Sequence, residues 1–330
     1  MKSLLAAGLG VVIAATLGLS APATAADRTD VVVVSAAQQD AAARYWTADR
    51  MRAAKPADEL LRETVHRVTD VVRRGAVQVL APRTAAGGGL GGLLEGLFGG
   101  SGGRAAGGLY AGGGAVVRTT GRLFFTLGGA SYTCSGSSVR AKNENLVQTA
   151  GHCVNQGPGA YAKNVIFVPA YKDGKAPYGR WSATRIATTT QWRTAGDLTY
   201  DVGYVKVKPK KKSLADTVGA QGIGFNLPRG GTVDVFGYPA ERQYDGSRLA
   251  TCRGQQVQDR RGSGDQGVVC NLSGGTSGGP WLAKFSASKG VGVITSVSSF
   301  RYVTLLSESR ELYGPYFGSV AQRLYASMQK

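Results

Sequence analysis

The chain has 330 residues, 39 Lys and Arg against 21 Asp and Glu, four cysteines and a formal charge of +18. That length is enough for a sizeable core and more than one segment. Four cysteines with no C-x-x-C pair argue against a zinc site, and the charge points to an anionic partner or to a solvated, exported surface.

The first 26 residues read as a secretory signal. Lys2 precedes an apolar run from Leu4 to Leu19, and "SAPATAAD" supplies small residues for cleavage after Ala25 or Ala26. No later apolar run is long enough to span a bilayer. The expected location is therefore extracellular, where an even cysteine count reads as two disulfides rather than thiol catalysis. Spacing favours the local pairs Cys134–Cys153 and Cys252–Cys270 among the three connectivities that four cysteines allow.

Residues 27–84 form a helical, propeptide-like zone. In "ADELLRETVHRVTDVVRRGAVQVL", Leu60, Leu61, Val65, Val68, Val71 and Val72 recur at three and four, and Pro56 and Asp58 stand where a helix starts. Residues 85–115 are glycine-rich and read as a flexible linker open to proteolysis. From 116 to 330 the pattern changes to short apolar runs separated by Gly, Pro, Asn and Asp, from "RLFFTL" through "VIFVPAY", "DVGYVKV" and "TVDVFGY" to "GVGVITSV". Such runs at close intervals predict an antiparallel all-β domain. Only "GPYFGSVAQRLYASMQK" reads as a helix, with Pro315 near its start and Phe317, Val320 and Leu324 on one face. The basic run "KVKPKKK", residues 206–212, has no aromatic platform interleaved with it and reads as a solvated loop; attraction to an anionic polymer is the competing reading.

In "NLSGGTSGGPW", Ser277 sits among glycines that let the backbone turn and a carbonyl come close. A serine nucleophile needs a base, and the chain has two histidines. His66 lies in the N-terminal zone. His152, in "LVQTAGHCVN", follows an apolar strand and precedes Cys153, so a disulfide would pin its backbone. For the acid that orients the imidazole, "DLTYDVGYVKV" offers Asp197 in a turn and Asp201 at the head of a strand, and Asp201 is preferred. "GTSGG" also fits the nucleophile elbow of α/β-hydrolases, but these place a histidine after the serine and none follows Ser277. A subtilisin-like order would need alternating strands and helices, which are missing after residue 116. The order His, Asp, Ser on an all-β domain is what stands.

"TAGHC", "DVGYV" and "GGTSGGP" in that order resemble the chymotrypsin-like (trypsin-fold) serine peptidases, above all secreted bacterial members such as the streptogrisins and glutamyl endopeptidases. The resemblance spans roughly residues 116–325. It implies two antiparallel six-stranded β-barrels with a C-terminal helix. In it His152 is the general base, Asp201 its orienter and Ser277 the nucleophile, and the N–H groups of Gly275 and Ser277 form the oxyanion hole. It also implies a propeptide, no metal or cofactor, and protein or peptide substrates. The sequence departs from the pattern at three places. Thr276 stands where trypsin-like members carry aspartate, which makes a buried N-terminal ammonium unpartnered; its hydroxyl can hold the loop instead. Asn271 stands where trypsin has its pocket aspartate. Ile294 or Thr295 stands where glutamyl endopeptidases carry a pocket histidine. Asn271 and Thr295 are thus the candidate primary-pocket residues, and neither Arg/Lys nor Glu preference is implied. A catalytically silent basic binding protein on this fold, or an esterase using the same three residues, are the alternatives.

Overall fold

The computed structural model describes residues 31–62, 72–85, 105–303 and 308–330. The leader zone and His66 lie outside these, as does most of the glycine-rich tract.

Six antiparallel strands close the first half. Thr120–Leu127 pairs with Ala130–Val139 on one side and Lys163–Pro169 on the other. From Ala130–Val139 the ladder runs through Leu146–Thr149, Gly203–Val207 and Trp181–Thr188, which returns to Lys163–Pro169. Closure leaves no free edge in this half. Leu123, Phe124 and Phe125 are all fully buried, which is why "RLFFTL" reads as a continuous apolar run rather than an alternation.

In the second half, Gly222–Phe225, Val291–Val297, Pro280–Ser286, Thr232–Gly237 and Ala250–Gln255 lie side by side in one sheet. The chain bends at Gln256, and Val257–Gln258 continues into a three-stranded sheet with Gln266–Val269 and Glu311–Gly314. One strand shared between two sheets is how the second half curls. Most of these strands carry the apolar runs legible in the sequence, but Gly222–Phe225 and Glu311–Gly314 are too short and glycine-rich to read. The terminal helix covers Ser319–Met328, starting after Gly318 rather than at Pro315. Its Tyr325 packs against Tyr204 of the first half and Phe225 of the second, joining them.

The described segments before residue 110 wrap this body. Val31–Val33 pairs with Trp181–Thr188, and Lys55–Pro56 runs parallel to Ala130–Val139. Gln78–Leu80 and Ala105–Leu109 supply both edges of the second-half sheet. Helix Ala36–Tyr45 starts with a capping box from Ser35 and Gln38. Trp46 behind it is wholly buried, its ring tilted against Phe124, with its indole N–H donated to Asn164 O at 2.6 Å. A helix does begin at Asp58 but its described part ends at Arg62, and 78–80, inside the zone read as helical, is extended. The strand at Ala105–Leu109 shows that the linker expectation does not extend that far: sheet pairing uses backbone groups, which glycine supplies as well as any residue.

Candidate active site

Three segments converge between the two halves. His152 follows the strand Leu146–Thr149, and Cys153 beside it is bridged to Cys134; the second bridge is Cys252–Cys270. Asp201 ends the 3₁₀ turn Leu198–Tyr200. One of its oxygens accepts the His152 backbone N–H and the other accepts from His152 Nδ1, both at 2.7 Å. Ser299 Oγ donates to the second oxygen at 2.5 Å. His152 and Asp201 are almost wholly inaccessible to solvent. Burial alone would disfavour the imidazolium, yet the Asp201 carboxylate and its hydrogen bond hold the His152 pKa above its ordinary value. Burial likewise pushes Asp201 up, but the paired histidine and Ser299 win and hold it below the usual carboxylate range. His152 Nε2 is buried without a hydrogen-bond partner. Asp197 caps the 3₁₀ turn by accepting the Thr199 N–H, so its place is structural.

Ser277 lies on the loop before strand Pro280–Ser286, and its carbonyl accepts from Ser135 N at 2.7 Å. Gly275 (φ +94°) and Gly278 (φ +78°) make the turn. A Cβ on Gly275 would stand 2.7 Å from Tyr238 O, and one on Gly278 2.1 Å from Thr149 Oγ1. Only glycine fits there without displacing the loop. The Gly275 carbonyl is fixed by Ser135 Oγ at 2.8 Å. Thr276 is buried as expected for a neutral residue, but its hydroxyl has no partner, so it does not tie the loop; its methyl lies where a Cβ on Gly237 would stand.

Ser277 Oγ donates to Asp58 Oδ1 at 2.9 Å, and Gly275 N–H donates to Asp58 Oδ2 at 2.7 Å. A carboxylate of the N-terminal segment therefore sits on the nucleophile candidate and on one of the two expected oxyanion donors.

Beside Ser277 opens a cleft of about 640 Å³ with Leu272, Phe300, Tyr302 and Leu312 in its walls. Arg301 braces it: Nη2 donates to the carbonyls of Cys270 and Leu272, Nη1 to those of Ser309 and Arg310, and Nε pairs with Glu308 at 3.2 Å. The two residues expected to form the primary pocket are elsewhere. Asn271 is exposed and donates to Gly107 O at 3.2 Å, and Thr295 lines a separate cavity with Leu227, Gln256 and Tyr316. The strand pairing of Pro280–Ser286 with Val291–Val297 slips there: Trp281 faces Ser296 and Leu282 faces Ile294, so Thr295 is the bulged residue of its strand. Ser299, Arg301 and Asp58 have no motif in the sequence that marks them. In the basic run, Lys206 reaches Lys330 O, Lys208 lies 3.9 Å from Asp40, and Lys210 stacks over Trp181.

No family model matches the chain. Among solved structures, the protease Anisep from Arthrobacter nicotinovorans is 43% identical, covering 67% of this chain and 98% of its own, with a TM-score of 0.62. A thermostable serine protease, AL20, from an extremophilic microorganism is 35% identical over 65% of this chain and 98% of its own, at 0.61. A Glu endopeptidase at 19% identity and a TM-score of 0.53, covering 69% of this chain and 99% of its own, shares the fold. Among curated proteins, the extracellular metalloprotease of Bacillus subtilis (strain 168) is 28% identical over 115 residues, 35% of this chain. The chain spans about a third of that relative's length, 36%. The metal that its name implies does not fit the residues here. The sole clustered donor set among the described residues is Cys134, His152 and Cys153, and there both sulfurs are consumed by a disulfide and Nδ1 is held by Asp201. The fold and these matches define a protease built from two β halves. The chain belongs to the chymotrypsin-like serine peptidases, of the secreted bacterial type that includes the streptogrisins and glutamyl endopeptidases.

Proposed function

We propose that the chain is an exported serine endopeptidase made as a precursor, with residues 1–26 as signal, 27–84 as propeptide, a glycine-rich linker from residue 85 that stops before the strand Ala105–Leu109, and 116–330 as the peptidase. Ser277 is the nucleophile, His152 the general base and Asp201 the group that fixes the imidazole. Ser277 Oγ attacks the scissile carbonyl while its proton passes to His152 Nε2, and the developing oxyanion is received by the N–H groups of Gly275 and Ser277. His152 returns the proton to the leaving amine, giving an acyl-serine, and water then repeats the sequence to release the acid. Substrates are proteins or peptides, met by a cleft whose walls combine Leu272, Phe300 and Leu312 with Glu241, Arg301 and Glu308. No described helix is long and apolar enough to cross a membrane.

The single observation that carries this reading is the double grip of Asp201 on His152, which fixes one tautomer and leaves Nε2 without a partner. Ser277→Ala tests it. Turnover of a peptide library should fall by about 10⁴–10⁶ and fluorophosphonate labelling should vanish while secretion continues. Hydrolysis near the parent rate would overturn the assignment.

A further inference from the structure

Asp58 fills the catalytic centre with the wrong chemistry for turnover. Its two oxygens take the hydroxyl of Ser277 and the N–H of Gly275, the groups that a substrate carbonyl would need. A carboxylate is a poor acyl donor, since attack would have to expel oxide. The backbone around it is helical, Asp58–Arg62, so it offers the cleft no extended peptide. Leu61 of the same turn packs with Leu198, Phe300 and Tyr302 at the cleft wall. Delivery of Asp58 is rigid: Ala57 just before it is fully buried and donates its N–H to Thr133 O at 3.0 Å, continuing the pairing of Lys55–Pro56.

We propose that Asp58 is the plug of a built-in inhibitor, a side-chain carboxylate that occupies the carbonyl-binding position and keeps Ser277 silent until the N-terminal segment leaves. This deepens the reading of the site as a serine peptidase and rests on it. The way the segment is anchored adds a consequence. Trp46 is sealed against Phe124, Arg83 reaches Glu144 and Asp216, and Gln78–Leu80 is a sheet edge. None of these contacts depends on the covalent link through the linker. Cutting the chain after residue 85 therefore leaves the plug in place; activity follows when the segment dissociates or is itself degraded.

The test uses the full-length chain, a fluorophosphonate probe, and separation by size so that intact and processed forms are read together. Each lost charge-assisted hydrogen bond is worth roughly tenfold to a hundredfold. Intact wild-type chain should label at least about 10²-fold more slowly than chain that has shed the segment, and intact Asp58→Ala at least about tenfold faster than intact wild type. Asp58→Asn keeps the volume and loses the charge; it should fall between the two and carries the test if the alanine variant does not accumulate. Intact wild type labelling as fast as the processed form, or Asp58 variants labelling no faster than wild type, would overturn the proposal while leaving the peptidase reading intact. Labelling of no form at all, processed chain included, would remove the peptidase reading and the plug with it.

Discussion

Replacing Asp201 by asparagine changes one atom in a buried cluster whose hydrogen bonds leave few ways to accommodate it. Oδ1 accepts the His152 main-chain N–H, and Oδ2 accepts both Nδ1–H of His152 and the Ser299 hydroxyl. Asparagine has one oxygen for these roles. If that oxygen stays on the main-chain N–H, the new NH₂ faces Nδ1, which must give up its proton; Nε2 then carries it and cannot take one from Ser277. If the amide is flipped, two donors confront each other at about 2.7 Å in a site closed to water. Either way one charge-assisted hydrogen bond is lost, about 1.5–3 kcal/mol, and one donor is left unsatisfied, about 1–3 kcal/mol. The sum of roughly 3–6 kcal/mol corresponds to a fall in kcat of about 10²–10⁴. Steady-state hydrolysis of a fluorogenic peptide by the processed protein measures it, with fluorophosphonate titration to count sites. Asp197→Asn is the control: it caps a turn through Thr199 N–H, where asparagine serves as well as aspartate, so kcat should change by less than a fewfold. A variant of Asp201 within tenfold of the parent, or an Asp197 variant that is the worse of the two, would refute the reasoning.

Two further outcomes are expected from the same geometry. Gly275→Ala places a Cβ 2.7 Å from Tyr238 O at φ +94°, so the loop must shift and take its N–H with it; kcat should drop by about 10²–10³ with KM little changed, and a loss under threefold would remove Gly275 from the oxyanion hole. Asp58 adds to the field that holds His152 above its ordinary value, so in the full-length chain Asp58→Asn should move the His152 titration to lower pH, read by NMR in a chain with two histidines; an upward move would refute it. The accompanying stability has a definite sign. The raised His152 stabilises the fold below the ordinary imidazole range and that gain is lost as pH rises through its folded value, whereas the depressed Asp201 stabilises above the ordinary carboxylate range and is lost as pH falls through its own.

The residues that were legible in the sequence share a physical cause. His152 follows an apolar strand between glycine and cysteine, Asp201 stands just before a strand, and Ser277 stands among glycines just before another, so each lies at a strand boundary where a side chain must be fixed. Runs such as "RLFFTL" and "VIFVPAY" announce strands because burial on both faces leaves no polar alternation. What was not legible depends on contacts across long stretches of chain. Ser299 acquires its role only by reaching Asp201, 98 residues away. Asp58 reads as an ordinary acid at a helix start, which it also is; its contact lies 219 residues downstream. Residues 78–80 lie past Val72, the last apolar residue of the helical recurrence, and pair with the open edge that Gly222–Phe225 offers.

The two sets of contacts around Ser277 are independent, and that separation argues for how the protein is switched. His152, Asp201 and the Gly275 loop are fixed by Ser299, by the Cys134–Cys153 bridge and by Ser135, while Arg301 ties the 270–272 segment to Ser309 and Arg310. None of these partners lies in the N-terminal segment. What that segment adds at the site is Asp58, which accepts the Gly275 N–H and the Ser277 hydroxyl, and Leu61, which packs at the cleft wall. Thr276 is neutral and buried, so no carboxylate next to Ser277 waits for a new ammonium to complete the oxyanion loop. Burying a charge there without a partner would cost several kcal/mol. A site whose skeleton is already formed, and whose donors are already aligned well enough to hold a carboxylate at 2.7 and 2.9 Å, needs only to be vacated. If Asp58 is the plug proposed above, the separation of the two contact sets favours activation by removal over activation by construction.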